Sequence, residues 1–377
     1  MKQPILTLAL SSLLVLPLAG CKKTGKDASR YTKDGLFIVH MQTPTVFCEN
    51  NIADALGLWK EEGLKADYIG VLTPGTDVPA LLSGKIDFNN SHPNNIVKAR
   101  LAGAKIIAIS TGMIDDSVNP HIVYHVQKKS GITGIEGFRE LAKKRKIKIA
   151  VSGRNGCADW YFDEWLIRGG VPEAALDWVV MPQKQQLEAL SKGLVDAITS
   201  HPPFIKAADA DPNFTRIISS FEIVHNPAAG ASVRTTSEKF AKEHPEIVSA
   251  FIRVYVKAHE WSNAHPDSAK AIVARAFNQP ADKVSLFTFS NRRWLNDSDV
   301  NPWLERQIAH KDIKPDAKIK AADIYTNKYN SYWKDAGKPN TFFPGQGAKT
   351  TKAPSKAPGL VERTFRQKTA PLRTASR

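Results

Sequence analysis

Apolar positions along this chain fall into runs of strand length, alternating with stretches in which they recur every three or four residues. The first run, Leu36–His40, leads through a turn-rich loop into an amphipathic helix predicted over Ile52–Glu62. A second strand over Ala66–Leu72, a short helix over Val78–Ser83 and a buried strand over Ile86–Asn89 complete the series. The order then returns as strand Ile147–Val151, helix Trp160–Arg168, strand Trp178–Met181, helix Gln185–Lys192 and strand Val195–Thr199. Strands alternating with helices predict an α/β fold in which mixed sheets are flanked by helices. Gly84 and Gly193 stand where a helix C-terminal cap belongs, and Asp87 and Asp196 lie inside the strands that follow, with a structural role.

The recurrence is a duplication. Residues 36–93 written above residues 145–202, at a constant offset of 109 without gaps, align Cys48 with Cys157, Asp54 with Asp163, Gly84 with Gly193 and Asp87 with Asp196. Ser91-His92-Pro93 meets Ser200-His201-Pro202. Two equivalent lobes follow. In such sheets ligands bind beyond the carboxyl ends of the strands. Two lobes facing those ends toward each other make a hinged clamp that closes on a ligand.

Outside this region the pattern changes. Lys2 and the apolar stretch Ile5–Leu18 read as a secretory signal, too short and too interrupted by proline to span a bilayer as a stable helix. Leu18-Ala19-Gly20-Cys21 looks like a bacterial lipobox, so residues 1–20 are expected to be removed and Cys21 to be lipidated. Such acylation tethers the protein to the membrane outside the cytoplasm, on the periplasmic face or the cell surface. Residues 21–30 form a polar tether, and residues 346–377 read as a disordered basic tail. The net charge of +15 raises nucleic acid as a partner. However, the tail carries +7 and residues 1–30 carry +4, which leaves only +4 for residues 31–345, so nucleic acid is not expected.

The string Asn51-Ile52-Ala53-Asp54-Ala55-Leu56-Gly57-Leu58-Trp59-Lys60-Glu61-Glu62-Gly63-Leu64 resembles the opening of one group of periplasmic binding proteins. These serve ABC importers of nitrate, sulfonates, taurine and thiamine-pyrimidine precursors. Ala80-Leu81-Leu82-Ser83-Gly84-Lys85-Ile86-Asp87-Phe88 is similar to that group's A-L-x-x-G-x-I-D-F, and Lys146–Val151 to the first strand of its second lobe. His244-Pro245-Glu246, Trp261 and Asn263–Asp267 resemble its closing helices. The resemblance covers roughly residues 31–335. It implies a two-lobed periplasmic-binding-protein type II fold, with lobe one at 31–126 and 225–345 and lobe two at 127–224. It also implies a non-catalytic monomer, without cofactor, that hands a small solute to the transmembrane subunits of an ABC permease. The group's usual Gly-Ser/Thr loop after the second-lobe strand is here Ser152-Gly153-Arg154-Asn155-Gly156-Cys157, so the resemblance names no particular solute.

Strand-end loops are the candidate ligand contacts: Thr43, Pro44, Thr45, Gly75, Thr76, Asp77, Ser91 and His92 in lobe one, and Ser152, Arg154, Asn155, Gly156, Ser200 and His201 in lobe two. Free backbone N–H groups at the start of a helix, with a guanidinium beside them, suit a carboxylate, sulfonate or phosphate, and point to an anionic solute, nitrate-, sulfonate- or carboxylate-like. Cys48 and Cys157 admit three readings: small buried residues, a disulfide across the cleft, or partners of His92 and His201 in a zinc or copper site. His121 and His125, four apart on a strand leading to the hinge, read as structural. The rival class is an enzyme like the fungal thiamine-pyrimidine synthases, which share the fold. The chain lacks their cysteine-rich run, and it carries no Gly-x-Ser-x-Gly motif or Walker-type loop.

Overall fold

The computed structural model describes residues 28–45, 48–72, 75–154, 156–226 and 232–335. The signal segment, Cys21, Asn155 and the basic tail lie outside them.

Lobe one opens with β1 (Phe37–Met41), α1 (Glu49–Ala55), α2 (Leu58–Glu61), β2 (Leu64–Tyr68), α3 (Asp77–Ser83), β3 (Phe88–Ser91), α4 (Pro93–Leu101), β4 (Ile106–Thr111) and the short β5 (Met113–Ile114). Lobe two contains β6 (Val123–Gln127), α5 (Ile135–Ala142), β7 (Ile147–Val151), α6 (Cys157–Arg168), β8 (Leu176–Val180), α7 (Gln183–Ser191), β9 (Ala197–Ser200), α8 (Ile205–Asp209), β10 (Phe214–Ser219) and α9 (Ser220–Val224). The chain then returns to lobe one as β11 (Val233–Ser237), α10 (Glu238–Glu243), α11 (Pro245–Ala264), α12 (Pro266–Phe277), β12 (Thr288–Phe289) and α13 (Asn301–Ala309).

The two sheets share one strand order. Lobe two forms a continuous five-stranded sheet, β8-β7-β9-β6-β10. In lobe one, β1 pairs parallel with β2, and β11 lies antiparallel between β3 and β4. The Asp87 N–H donates to the His40 carbonyl at 2.9 Å and joins the two parts, which gives β2-β1-β3-β11-β4. The duplicated segments occupy equivalent places. Gly84 follows α3 with φ +75° and Gly193 follows α7 with φ +71°, both in the left-handed region that glycine enters at low cost.

Most boundaries shift by a few residues from the sequence reading, and three differences bear on the site. The helix predicted over Ile52–Glu62 is broken after Ala55, because Gly57 sits at φ +70° and restarts the chain as α2. In lobe two the helix begins at Cys157, three residues earlier than predicted. The first crossing between lobes, expected at 126–127, precedes β6, since Val123–Gln127 is hydrogen-bonded on one side to β9 and on the other to β10. β6 is an inner strand with Val123, Tyr124, His125 and Val126 all fully buried, so it shows no in–out alternation from which its sheet could be read.

Each lobe has its own apolar core. In lobe one α11 packs its apolar face against the sheet, and Phe251 stacks on Phe88 with ring centroids 3.6 Å apart. In lobe two Tyr124 stacks on Phe162 at 4.2 Å. α13 packs against α4 of lobe one yet sends Trp303 into the lobe-two core, where it is 1% exposed. Burying an indole of that size contributes on the order of 4–6 kcal/mol of transfer free energy. The same helix carries Arg306, whose Nε donates to Glu164 Oε2 of α6 at 2.6 Å. α13 is therefore the latch between the lobes. Among the described residues no helix is long and apolar enough to cross a membrane.

Candidate functional site

The carboxyl ends of the strands from both lobes meet around four side chains. His92 follows β3 in extended conformation and precedes Pro93, the first residue of α4. Proline bars the helical conformation for the residue before it, so this imidazole is set at the mouth of the strand. Cys157 opens α6 of lobe two, and its Sγ lies 3.2 Å from His92 Nε2. The same sulfur lies 3.5 Å from Nε2 of His121, in the segment that crosses between lobes. His201, the repeat partner of His92, stands edge-on to His121 with ring centroids 5.5 Å apart. Its Nδ1 lies 3.1 Å from Gln183 Oε1.

All four groups are buried. Trp303 lies against His92 at 5.1 Å between ring centroids and Phe287 against His121 at 5.5 Å, an aromatic wall that keeps water out. Burial, with His92 nearby, pulls His201 down to about 3, so its imidazole is neutral at physiological pH. Burial also pushes the Cys157 thiol well above its ordinary value, and the carboxylates Asp159 and Asp115 add to the effect. Asp115 Oδ1 accepts the His121 backbone N–H at 2.8 Å and fixes the approach of that residue.

Within lobe one, a pocket of about 70 Å³ is lined by Gln42, Thr43, Pro44, Thr45, Asn89, Asn90 and the buried pair Glu49–Arg234. Burial alone would raise Glu49, but Arg234 and His259 outweigh it and hold the carboxyl below its usual range. Arg234 thereby has its charge balanced, and it also lies over the Tyr255 ring at 4.7 Å. Asn89 accepts from Gln42 at 2.8 Å and donates to Asp77 at 2.9 Å, so Asp77 supports the pocket wall.

The remaining candidates are placed as follows. Thr45, Gly75 and Thr76 are exposed. Ser91 is buried beside His92, with its hydroxyl 3.4 Å from the His92 carbonyl. Ser200 bonds to His125 at 3.1 Å, within lobe two. Ser152 accepts from Gln186 at 3.2 Å. The Gly156 N–H is taken by Asp159 Oδ1 at 2.9 Å, in a capping arrangement at the start of α6. Arg154 lies over Trp178 at 4.6 Å and pairs with Asp159 at 3.4 Å. Cys48 and Cys157 are both free thiols. Cys48 belongs to the lobe-one core, so neither the disulfide reading nor the four-residue metal set with Cys48 describes the structure. His121 and His125, read as one strand face, part company. His125 sits in β6 and bonds to Asp209, while His121 precedes the strand and turns into the centre.

Phe287 and Trp303 escaped the sequence reading, and His121 was read only as structural, because all three lie outside the duplicated segments and belong to no motif. The Glu49–Arg234 pair, 185 residues apart, gave no signal either.

The sequence profile described as NMT1/THI5 like matches residues 46–269, more than half of the chain. The chain belongs to this family. Its fold is that of the type II periplasmic binding proteins, related to the nitrate, sulfonate, taurine and thiamine-precursor binding proteins. Fold and relatives are those of extracytoplasmic, non-catalytic solute-binding components of ABC importers. A binding protein of Brucella abortus is 25% identical over 265 residues, covering 67% of this chain and 77% of that one. A Bacillus subtilis protein named for binding aliphatic sulfonates is 23% identical over 325 residues, covering 84% of this chain and 93% of its own. The periplasmic nitrate-binding protein of Synechocystis PCC 6803 superposes with a TM-score of 0.64 at 12% identity, over 80% of this chain and 88% of that chain.

Proposed function

We propose that this family member is the lipid-anchored binding subunit of an ABC importer. It closes its lobes on a small solute bearing an anionic group and delivers that solute, as a monomer, to the permease. The observation that carries this reading is the meeting of His92 from lobe one with Cys157 from lobe two at 3.2 Å, the contact of a clamp in its closed form. The solute would sit between this centre and the Thr43–Thr45 loop, where Gln42, Asn89 and Asn90 offer neutral polar groups. The sulfonate- and nitrate-binding relatives favour an oxyanion. Arg154 and Arg234 are each engaged by a carboxylate, so neutral donors and the ends of helices would carry most of the recognition.

The test is a thermal-shift screen of the full chain against nitrate, sulfonates, carboxylates and pyrimidines. A ligand at 100 times its Kd stabilises the folded state by about 2.7 kcal/mol. A shift confined to one oxyanion class supports the reading. A shift with pyrimidines alone, or with no solute at all, overturns the anionic assignment.

A further inference from the structure

We propose that His92, His121 and Cys157 form a binding site for a zinc-class metal ion that ties the two lobes together. The three donor atoms lie within 4.8 Å of one another. The sulfur stands 3.2 Å from one imidazole Nε2 and 3.5 Å from the other. Tetrahedral zinc with its usual bond lengths to sulfur and nitrogen places those atoms about 3.6 Å apart. The two sulfur–nitrogen separations are therefore within a few tenths of an ångström of those a metal needs.

The donor set selects the ion. Two imidazoles and a thiol are soft to borderline ligands that suit zinc or copper, whereas calcium and magnesium need oxygen donors. Binding expels the thiol proton to solvent and leaves a metal thiolate. The surroundings hold the donors, since Asp115 anchors the His121 backbone and Trp303 and Phe287 pack against the two imidazoles. This set keeps His92 and Cys157 of the four residues suggested by the sequence, drops Cys48 and His201, and adds His121.

Each ligand comes from a different part of the fold: the end of β3 in lobe one, the crossing segment, and the start of α6 in lobe two. Opening the clamp would pull the triad apart, so the ion binds the closed form and stabilises it. Three protein ligands also leave a fourth position for the anionic group of a solute, as in open zinc sites. The inference rests on the clamp reading, and its test separates the two.

Cobalt(II), which reports thiolate ligation by a charge-transfer band in the near ultraviolet, is titrated into the full chain carrying Cys21→Ser, so that only Cys48 and Cys157 offer thiols. Solution scattering is recorded in parallel. The expected result is one cobalt per chain, the charge-transfer band, displacement by zinc but not by magnesium, and a smaller radius of gyration. Cys48→Ser keeps the band. Cys157→Ser, shown to be folded by circular dichroism, loses it. His121→Gln weakens binding by at least ~100-fold, beyond the ~10–100-fold that outer-sphere changes cost. Absence of the band, or its persistence in Cys157→Ser, overturns the site. Compaction on a solute without any metal–thiolate band overturns the site and leaves the clamp standing. The band without compaction keeps the metal site but overturns the clamp and the ion's tying of the two lobes.

Discussion

Asp87 and Asp196, partners in the duplication, make the same bond in their two lobes. Asp87 Oδ2 accepts the His40 backbone N–H at 2.7 Å, and Asp196 Oδ2 accepts the Lys148 N–H at 2.8 Å. Each is also paired with an arginine, Arg30 for the first and Arg145 for the second. The duplicated aspartate is thus a fastener between the first and third strands of its repeat, β1 and β3 in one lobe and β7 and β9 in the other. Asp87 is buried, whereas the Arg145 partner of Asp196 is half exposed. Asp87→Ala should cost about 2–3 kcal/mol, since it strands a buried N–H and an arginine. Asp196→Ala should cost about 1 kcal/mol. Urea unfolding of both variants measures the difference, and equal costs would refute the ranking.

The latch between lobes is sensitive to acid. Burial would raise Glu164, but His310 and Arg306 outweigh it and bring the carboxyl down to about 2 from 4.5. Its stabilising effect is fully present above about pH 4.5 and is lost as pH falls toward 2, worth on the order of 3 kcal/mol. Glu164→Gln should lower the melting temperature at pH 7 and make it less dependent on pH between 5 and 3. An unchanged acid limb in the variant would assign the acid sensitivity to other carboxylates.

Arg154 offers a direct contrast between sequence and structure. The loop pattern predicts that Arg154→Ala weakens an anionic solute more than ten-fold. With the side chain over Trp178 and paired to Asp159, the expected loss is below about three-fold, the scale of an exposed charge acting at a distance. Isothermal titration with the solute found in the screen decides it. A loss above ten-fold would mean that the guanidinium swings onto the solute.

Gly84 and Gly193 serve as matched probes of the duplication. An added Cβ at Gly84 meets nothing within 4 Å, and at Gly193 it makes ordinary contact with Gln127, so the cost of Gly→Ala is that of the left-handed backbone. Each substitution should cost about 1–2 kcal/mol. Thermal unfolding should show similar losses, and a negligible loss at either site would show that the helix end there can rearrange.

Lipidation at Cys21 is tested by location. Cys21→Ser should move the protein from the membrane to the soluble fraction. Continued membrane association would reject the lipobox reading.

Local pattern was enough for the two lobes, their element order and the glycine caps, because periodicity and duplication are properties of neighbouring residues. It was also enough to single out His92 and His201, which stand in the repeated Ser-His-Pro, and Cys157, which matches Cys48 at the same offset. Pattern failed where contacts join distant segments. Val123–Val126 is buried on both faces, so only hydrogen bonding to β9 and β10 assigns β6 to lobe two. Arg154 stands in a loop that suits an anion, yet Trp178 and Asp159 compete for it. His121 carries no motif, and it meets Cys157 because the crossing segment passes the mouth of both sheets. Cys48 aligns with Cys157 in sequence but faces the lobe-one core, since equivalent positions in two copies share a backbone and not a neighbourhood. The sequence by itself determined the repeated order of strands and helices within the two copies. Only the tertiary structure decided which side chains meet between the lobes, because that depends on packing across the cleft and not on the order of residues along either copy.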